Sequence, residues 1–184
     1  MSDKIDGLVN EIYSAARKAF LDLFKNKESY YYCVLLTTGD ACPPYISAWS
    51  QEALFKEGKK RSSQKSSIKE QMNLLKYSFA DSPYCLYGYD EYFNTVAKMF
   101  NDRPTMDFND EEEWNKEFDF RYSAMVIAMK KLDDEGLFSL NQPRSNVLVN
   151  VEVIDESEAM LAESAKLFNN GEAALNDYIN WHTE

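Results

Sequence analysis

Histidine is almost missing from this chain: His182, close to the C-terminal end, is the single one among 184 residues. Catalytic triads and most zinc hydrolases hold a histidine in a packed site beside groups that orient it. A lone histidine on a short terminal helix reads instead as a surface or edge residue. Glycine is scarce as well. With six glycines and no G-x-G-x-x-G, Walker loop, H-E-x-x-H or G-x-S-x-G, a phosphate-cradling loop has little to be built from. Cys33, Cys42 and Cys85 are odd in number and form no C-x-x-C pair. Structural zinc wants four grouped ligands, and a reactive thiolate wants cations beside it, which Cys42 and Cys85 lack in sequence. Free thiols in a reducing cytoplasm are therefore expected. No apolar run approaches the roughly 18 residues that a membrane span needs. Met1-Ser2-Asp3-Lys4 leads straight into an amphipathic pattern rather than into the apolar core of a secretory signal. These absences set the expectation: no catalytic residue, no cofactor, no metal site, no membrane partner.

Basic charge is also in short supply. Against 31 acidic side chains stand 20 basic ones, for a formal net charge of −11. That field repels phosphate backbones, so nucleic acid is not an expected partner, whereas a basic protein would be attracted. What the chain has in quantity is aromatic residues, 12 Tyr and 11 Phe, within a 45% hydrophobic composition that argues for a packed core and against disorder. A chain of this length suits one domain over residues 1–184 and buries roughly 70% of its unfolded surface.

Ile5, Leu8, Val9, Ile12, Ala16, Phe20, Leu23 and Phe24 recur at helical spacing, and Asn26-Lys27 ends that helix. Tyr30 to Thr38 is β-branched and aromatic on both faces, as a central strand would be. After Gly39-Asp40 and Pro43-Pro44, Tyr45 to Trp49 reads as the return arm of a hairpin. Residues 56–66, rich in Lys, Ser and Gln, read as an exposed linker. Ser67-x-x-Glu70 is a capping box ahead of a helix with the apolar stripe Ile68, Met72, Leu75 and Phe79, which Asp81-Ser82-Pro83 breaks. Asp90 is placed to cap a helix carrying Phe93, Val96 and Phe100. Asp107 to Glu113 leads into a long helix through Trp114, Phe118, Met125 and Leu132, closed by Gly136. Asn146 to Ile154 reads as a strand. Asp155-x-x-Glu158 is read as the cap of a helix that runs to Asn169-Asn170-Gly171, and a last short helix carries Leu175, Tyr178 and Trp181. The expected fold is α+β: a small, mostly antiparallel sheet of about three strands packed with about six helices.

Two clusters stand out as candidate partner-binding residues. In the first, Tyr84, Tyr87 and Tyr89 alternate ahead of a helix; large rigid rings with polar tips suit an interface, and equally suit a core closed under a loop. The second is acidic: Asp107, Asp110, Glu111, Glu112 and Glu113. Asp107, Asn109, Glu111 and Glu113 alternate like the start of a calcium loop. The pattern then breaks, because Glu112 takes the tight-turn glycine position and Phe118 the closing bidentate position. Acidic residues in a first helical turn also complement the helix dipole with no ligand at all.

Several short motifs together resemble an uncharacterised bacterial domain-of-unknown-function family. They are Leu36-Thr37-Thr38-Gly39-Asp40 closing the first strand, the second strand Tyr45 to Trp49 with Gln51-Glu52-Ala53-Leu54, and Ser78 to Tyr84 with Tyr92-Phe93. Leu132 to Phe138 and Glu163 to Asn169 complete the set. Such families commonly place tryptophan where Tyr77 and Ser82 stand here. The resemblance implies a bacterial cytoplasmic protein, and some families of this kind look like immunity proteins, small inhibitors made beside a toxin. It brings no catalytic residues with it. Three functions stay open on the sequence: a protein-binding module, an enzyme built on clustered carboxylates with a divalent metal, and a structural domain that self-associates through the Tyr84–Phe93 face.

Overall fold

The computed structural model describes residues 2–107, 109–169 and 173–183, with side chains from Ile5 onward. Helix α1 (Ser2–Leu23) buries the stripe its periodicity marks out, Leu8, Ile12, Ala16, Phe20 and Leu23 among it. A short 3-10 turn ends at Lys27, which takes a left-handed φ of 62° and donates its N–H to the Phe24 carbonyl. Strand β1 (Tyr30–Thr37) is buried at every position and forms the centre of a three-stranded sheet of order β2-β1-β3. Strand β2 (Tyr45–Ser50) runs antiparallel to β1, with Cys33 opposite Ala48.

Helix α2 (Gln51–Arg61) follows at once, its first turn capped by the Ser50 hydroxyl. Here the structure corrects the expected linker, since most of residues 56–66 is helix. Lys59, Lys60 and Arg61 fall in the last turn, where cations complement the dipole. Gly58 is buried where α2 meets α3 (Ile68–Leu75), which starts with the full Ser67–Glu70 capping box.

Asp90 is not a cap. It lies inside α4 (Tyr89–Tyr92), which starts at Gly88 in a left-handed conformation, and α5 (Asn94–Asn101) begins after Phe93. The long helix α6 (Glu111–Asp134) is capped by Asp110 and released at Gly136, with φ of 80°. Strand β3 (Leu148–Val153) lies beside β1 in parallel, Cys33 opposite Val149. The sheet is therefore mixed rather than mostly antiparallel. A strand isolated between helices carries no local signal of its direction, and a parallel neighbour is reachable only through a long crossover. Asp155 is likewise not a cap: it turns the chain at φ 65°, and Ser157 caps α7 (Glu158–Lys166) by accepting the Met160 N–H. Asn170 and Gly171, the expected stop, lie outside the described residues. Helix α8 (Ala173–Thr183) completes the described elements.

Eight α-helices thus cover both faces of the sheet among the described residues. On one face, α1, α5 and α6 meet Cys33, Leu35, Val149 and Val151. Ala15, Ala16 and Ala19 on α1, with Ala124 and Ala128 on α6, let those two helices come close. On the other face, α2, α3, α7 and α8 meet Tyr32, Val34, Trp49 and Leu148.

Candidate functional site

The tyrosine segment is held to the body of the protein by its own hydroxyls. Tyr84 donates to Glu28 Oε2 at 2.6 Å and lies edge-on to Tyr87, and Tyr87 donates to Asp22 Oδ2 at 2.9 Å. Tyr89 stacks on Phe93 and meets Tyr45 edge-on. All three rings are half-buried against the α1 core, and Leu86, at φ 59°, is the large apolar side chain that this turn exposes. Just upstream, Trp49 Nε1 donates to the Ser78 carbonyl, the Ser47 hydroxyl to the Phe79 carbonyl and the Ser82 hydroxyl to the Ala48 carbonyl, so residues 78–82 are tied to β2.

The acidic cluster sits elsewhere, at the start of α6. Asp110 accepts the Glu113 N–H at 3.1 Å as the N-cap, and Asp107 accepts from the Asn109 backbone and side chain at 2.9 and 2.8 Å. Burial does not constrain Asp107; the two hydrogen bonds from Asn109 hold its carboxyl below the usual range. Asp107, Asp110, Glu113 and Asp119 line an open groove of about 800 Å³ that takes in none of residues 84–93. Glu111 and Glu112, exposed in the same turn, do not line it. The two clusters do not share this concave surface.

Beneath this groove lies a buried ionic network that the sequence does not reveal. Glu117 and Arg121, one helical turn apart on α6, are both buried. Glu117 accepts from Arg121 Nε at 2.6 Å and from both the Nε and Nη2 of Arg103. Burial disfavours the Glu117 carboxylate, yet the two guanidinium partners outweigh it and hold its pKa below the ordinary value. Arg121 donates further to the carbonyls of Ala41 and Pro104, pinning the β1–β2 turn and the chain beyond α5 to α6. Arg103 lies over the Phe120 ring at 3.7 Å. The i,i+4 spacing of Glu117 and Arg121 was visible, but its burial was not.

A second polar group was also missed, on the opposite face of the sheet. Glu152 on β3 is fully buried and accepts from Tyr32 at 2.8 Å and from Tyr178 at 2.9 Å. Burial raises its pKa to about 7, although both phenols and Asn150 favour the charged form. The alternation Val149-Asn150-Val151-Glu152-Val153 is the pattern of a strand with one solvated face, and nothing local in it marks Glu152 as buried. His182 lies edge-on to Tyr178 and Trp181, and burial lowers its pKa. Its Nε2 is buried with no hydrogen-bond partner.

This arrangement offers surface and charge. Among the described residues no group of three or more His, Cys, Asp or Glu side chains is placed to hold a metal ion, and no helix is long and apolar enough to cross a membrane. Among the described residues the one carboxyl whose pKa is raised is enclosed between two phenols. No curated protein and no solved structure matches the chain. A family model does, over residues 12–170, from the first half of α1 to just past α7, and it is described as a domain of unknown function, DUF4303. With that match spanning most of its length, the chain belongs to the DUF4303 family.

Proposed function

We propose that this chain is a non-enzymatic protein-binding module, in its most concrete form a toxin-neutralising immunity protein of the bacterial cytoplasm that covers a basic partner. The observation that carries the reading is the groove at the start of α6. Its rim bears Asp102, Asp107, Asp110, Glu113 and Asp119, with Lys116 paired to Glu113, and Arg103 and Glu117 of the buried ion network line its floor. Clustered carboxylates on a shaped surface favour electrostatic steering of a cationic protein, which raises the association rate more than the final affinity. The net charge of −11 adds to that attraction at long range. Cys33, Cys42 and Cys85 are all free thiols, which accords with a reducing compartment.

The test is co-expression with the product of the adjacent reading frame, followed by stopped-flow binding. The expected result is rescue of growth and a stoichiometric complex. Its association rate should fall by about ten-fold or more in an Asp107→Lys, Asp110→Lys, Glu113→Lys variant and should drop with added salt. A neighbour that neither harms the cell nor binds, or turnover of a small molecule by the purified chain, would sink the reading.

A further inference from the structure

The first half of α6 separates two grooves. Opposite the acidic one, an apolar groove of about 430 Å³ runs between α6 and α7, floored by Phe118, Tyr122 and Leu161. The rings of that floor are stacked: Phe118 lies on Trp114 at 5.3 Å and 12°, and on Tyr122 at 5.8 Å and 10°. Met160 and Leu167, 58% and 48% exposed, stand on its other side. Among the described residues the charged side chains lining it are Glu156 and Glu163 and no lysine or arginine lines it, though Lys166 pairs with Glu163 from outside. An apolar slot with an acidic rim fits an apolar stripe flanked by cations.

Which backbone could carry that stripe is decided by β3. It is an edge strand next to this groove, and an open edge would invite an extended segment to add to the sheet. The edge is already occupied by side chains. Asn169 donates to the Val149 carbonyl at 2.7 Å and accepts the Val149 N–H at 3.1 Å, as another strand would. Tyr122 donates to the Val151 carbonyl, and the Val151 N–H is taken by Asn150 Oδ1. With Val149 and Val151 already paired on this edge, little of the ladder is left for an added strand, and an occupant that binds through its side chains, as an amphipathic helix does, is favoured.

We propose that the α6–α7 groove receives a basic amphipathic helix of a partner protein, an inference that rests on the protein-binding reading above. The experiment uses the intact chain and a fluorescein-labelled helical peptide with leucine on one face and lysine on the other, read by anisotropy. Two companions are titrated beside it: the same composition with leucine and lysine alternating, and the helical pattern with glutamate for lysine. The Leu/Lys helix should bind, both companions should bind at least about ten-fold more weakly, and Met160→Lys with Leu167→Lys should cost the helix a similar factor. Both substituted side chains are exposed, so circular dichroism of the variant should match the parent.

Equal binding of the alternating peptide, undiminished binding by the double variant, or no binding of the Leu/Lys helix overturns the inference. So does a dimer of the parent chain that the double variant abolishes, since a second copy is then the occupant. The two readings fail separately. If the growth-rescuing partner binds the double variant as well as the parent, the groove assignment falls and the module stands; if the Leu/Lys helix binds the groove but no neighbour binds the chain, the immunity reading falls alone.

Discussion

Glu152 shows what one buried carboxyl can do to a small domain. Its hydrogen-bond partners, Tyr32, Tyr178 and Asn150, are all neutral, and burial lifts its pKa from the ordinary 4.5 to about 7. Below pH 4.5 the group is protonated whether the chain is folded or not. As pH rises from 4.5 to 7 the unfolded chain loses this proton while the folded chain keeps it. Stability contributed at this site therefore falls across that window, by about 3 kcal/mol, and is level above it. Glu152→Gln has no such proton to lose. The stability of the variant relative to the parent should thus rise by about that amount between pH 4.5 and pH 8, measured by urea unfolding at each pH. A difference that is the same at both pH values would show that the folded protein does not hold the proton. Residue identity made Glu152 readable as one of 31 acids; its burial was not readable, because the phenols that enclose it come from residues 32 and 178.

Elements were legible where local chemistry alone decides them. The stripe of α1, the aromatic run of β1, the Ser67–Glu70 box and the Gly136 stop all depend on neighbours within a turn or two, and all stand in the structure. The misreadings were also local, but their deciding interactions were not. Residues 56–61 looked like linker because lysines dominate them, yet Gly58 lets α2 lie directly on α3: a β-carbon there would come within 2.6 Å of Met72 Cγ and 3.3 Å of the Ile68 carbonyl. Alanine in place of a helical glycine ordinarily stabilises by about 0.5–1 kcal/mol. Gly7→Ala, in α1 with open space around it, should show that gain, while Gly58→Ala should instead destabilise by about 1–3 kcal/mol through overpacking. Thermal unfolding of the two variants checks the contrast. Should both raise the melting temperature, the close approach of α2 and α3 is not a constraint.

At the scale of the whole molecule, the excess of 11 negative charges repels itself, and part of that self-repulsion opposes folding. Raising ionic strength from about 0.01 M to 0.15 M shortens the Debye length from about 30 Å to about 8 Å. The melting temperature should accordingly rise with sodium chloride over that range, as read by calorimetry. A fall would mean that exposed ion pairs such as Arg17–Glu135 and Arg61–Asp81 contribute more than the repulsion costs.

The chain's own order of residues determined the α+β class, the central buried strand, the end of α1, the start of α3, both ends of α6 and the sign of the surface, since each follows from periodicity, capping or simple counting. Three things were decided only in the folded body. They are the parallel direction of β3, the placing of the tyrosines against α1 away from the acidic groove, and the enclosure of Glu152. Each turns on contacts between residues distant in the chain, such as Cys33 beside Val149, Tyr84 with Glu28 and Tyr32 with Glu152. Contacts of that kind leave no periodic trace in a short window of sequence, because their energy exists only once the chain has closed the loops between them.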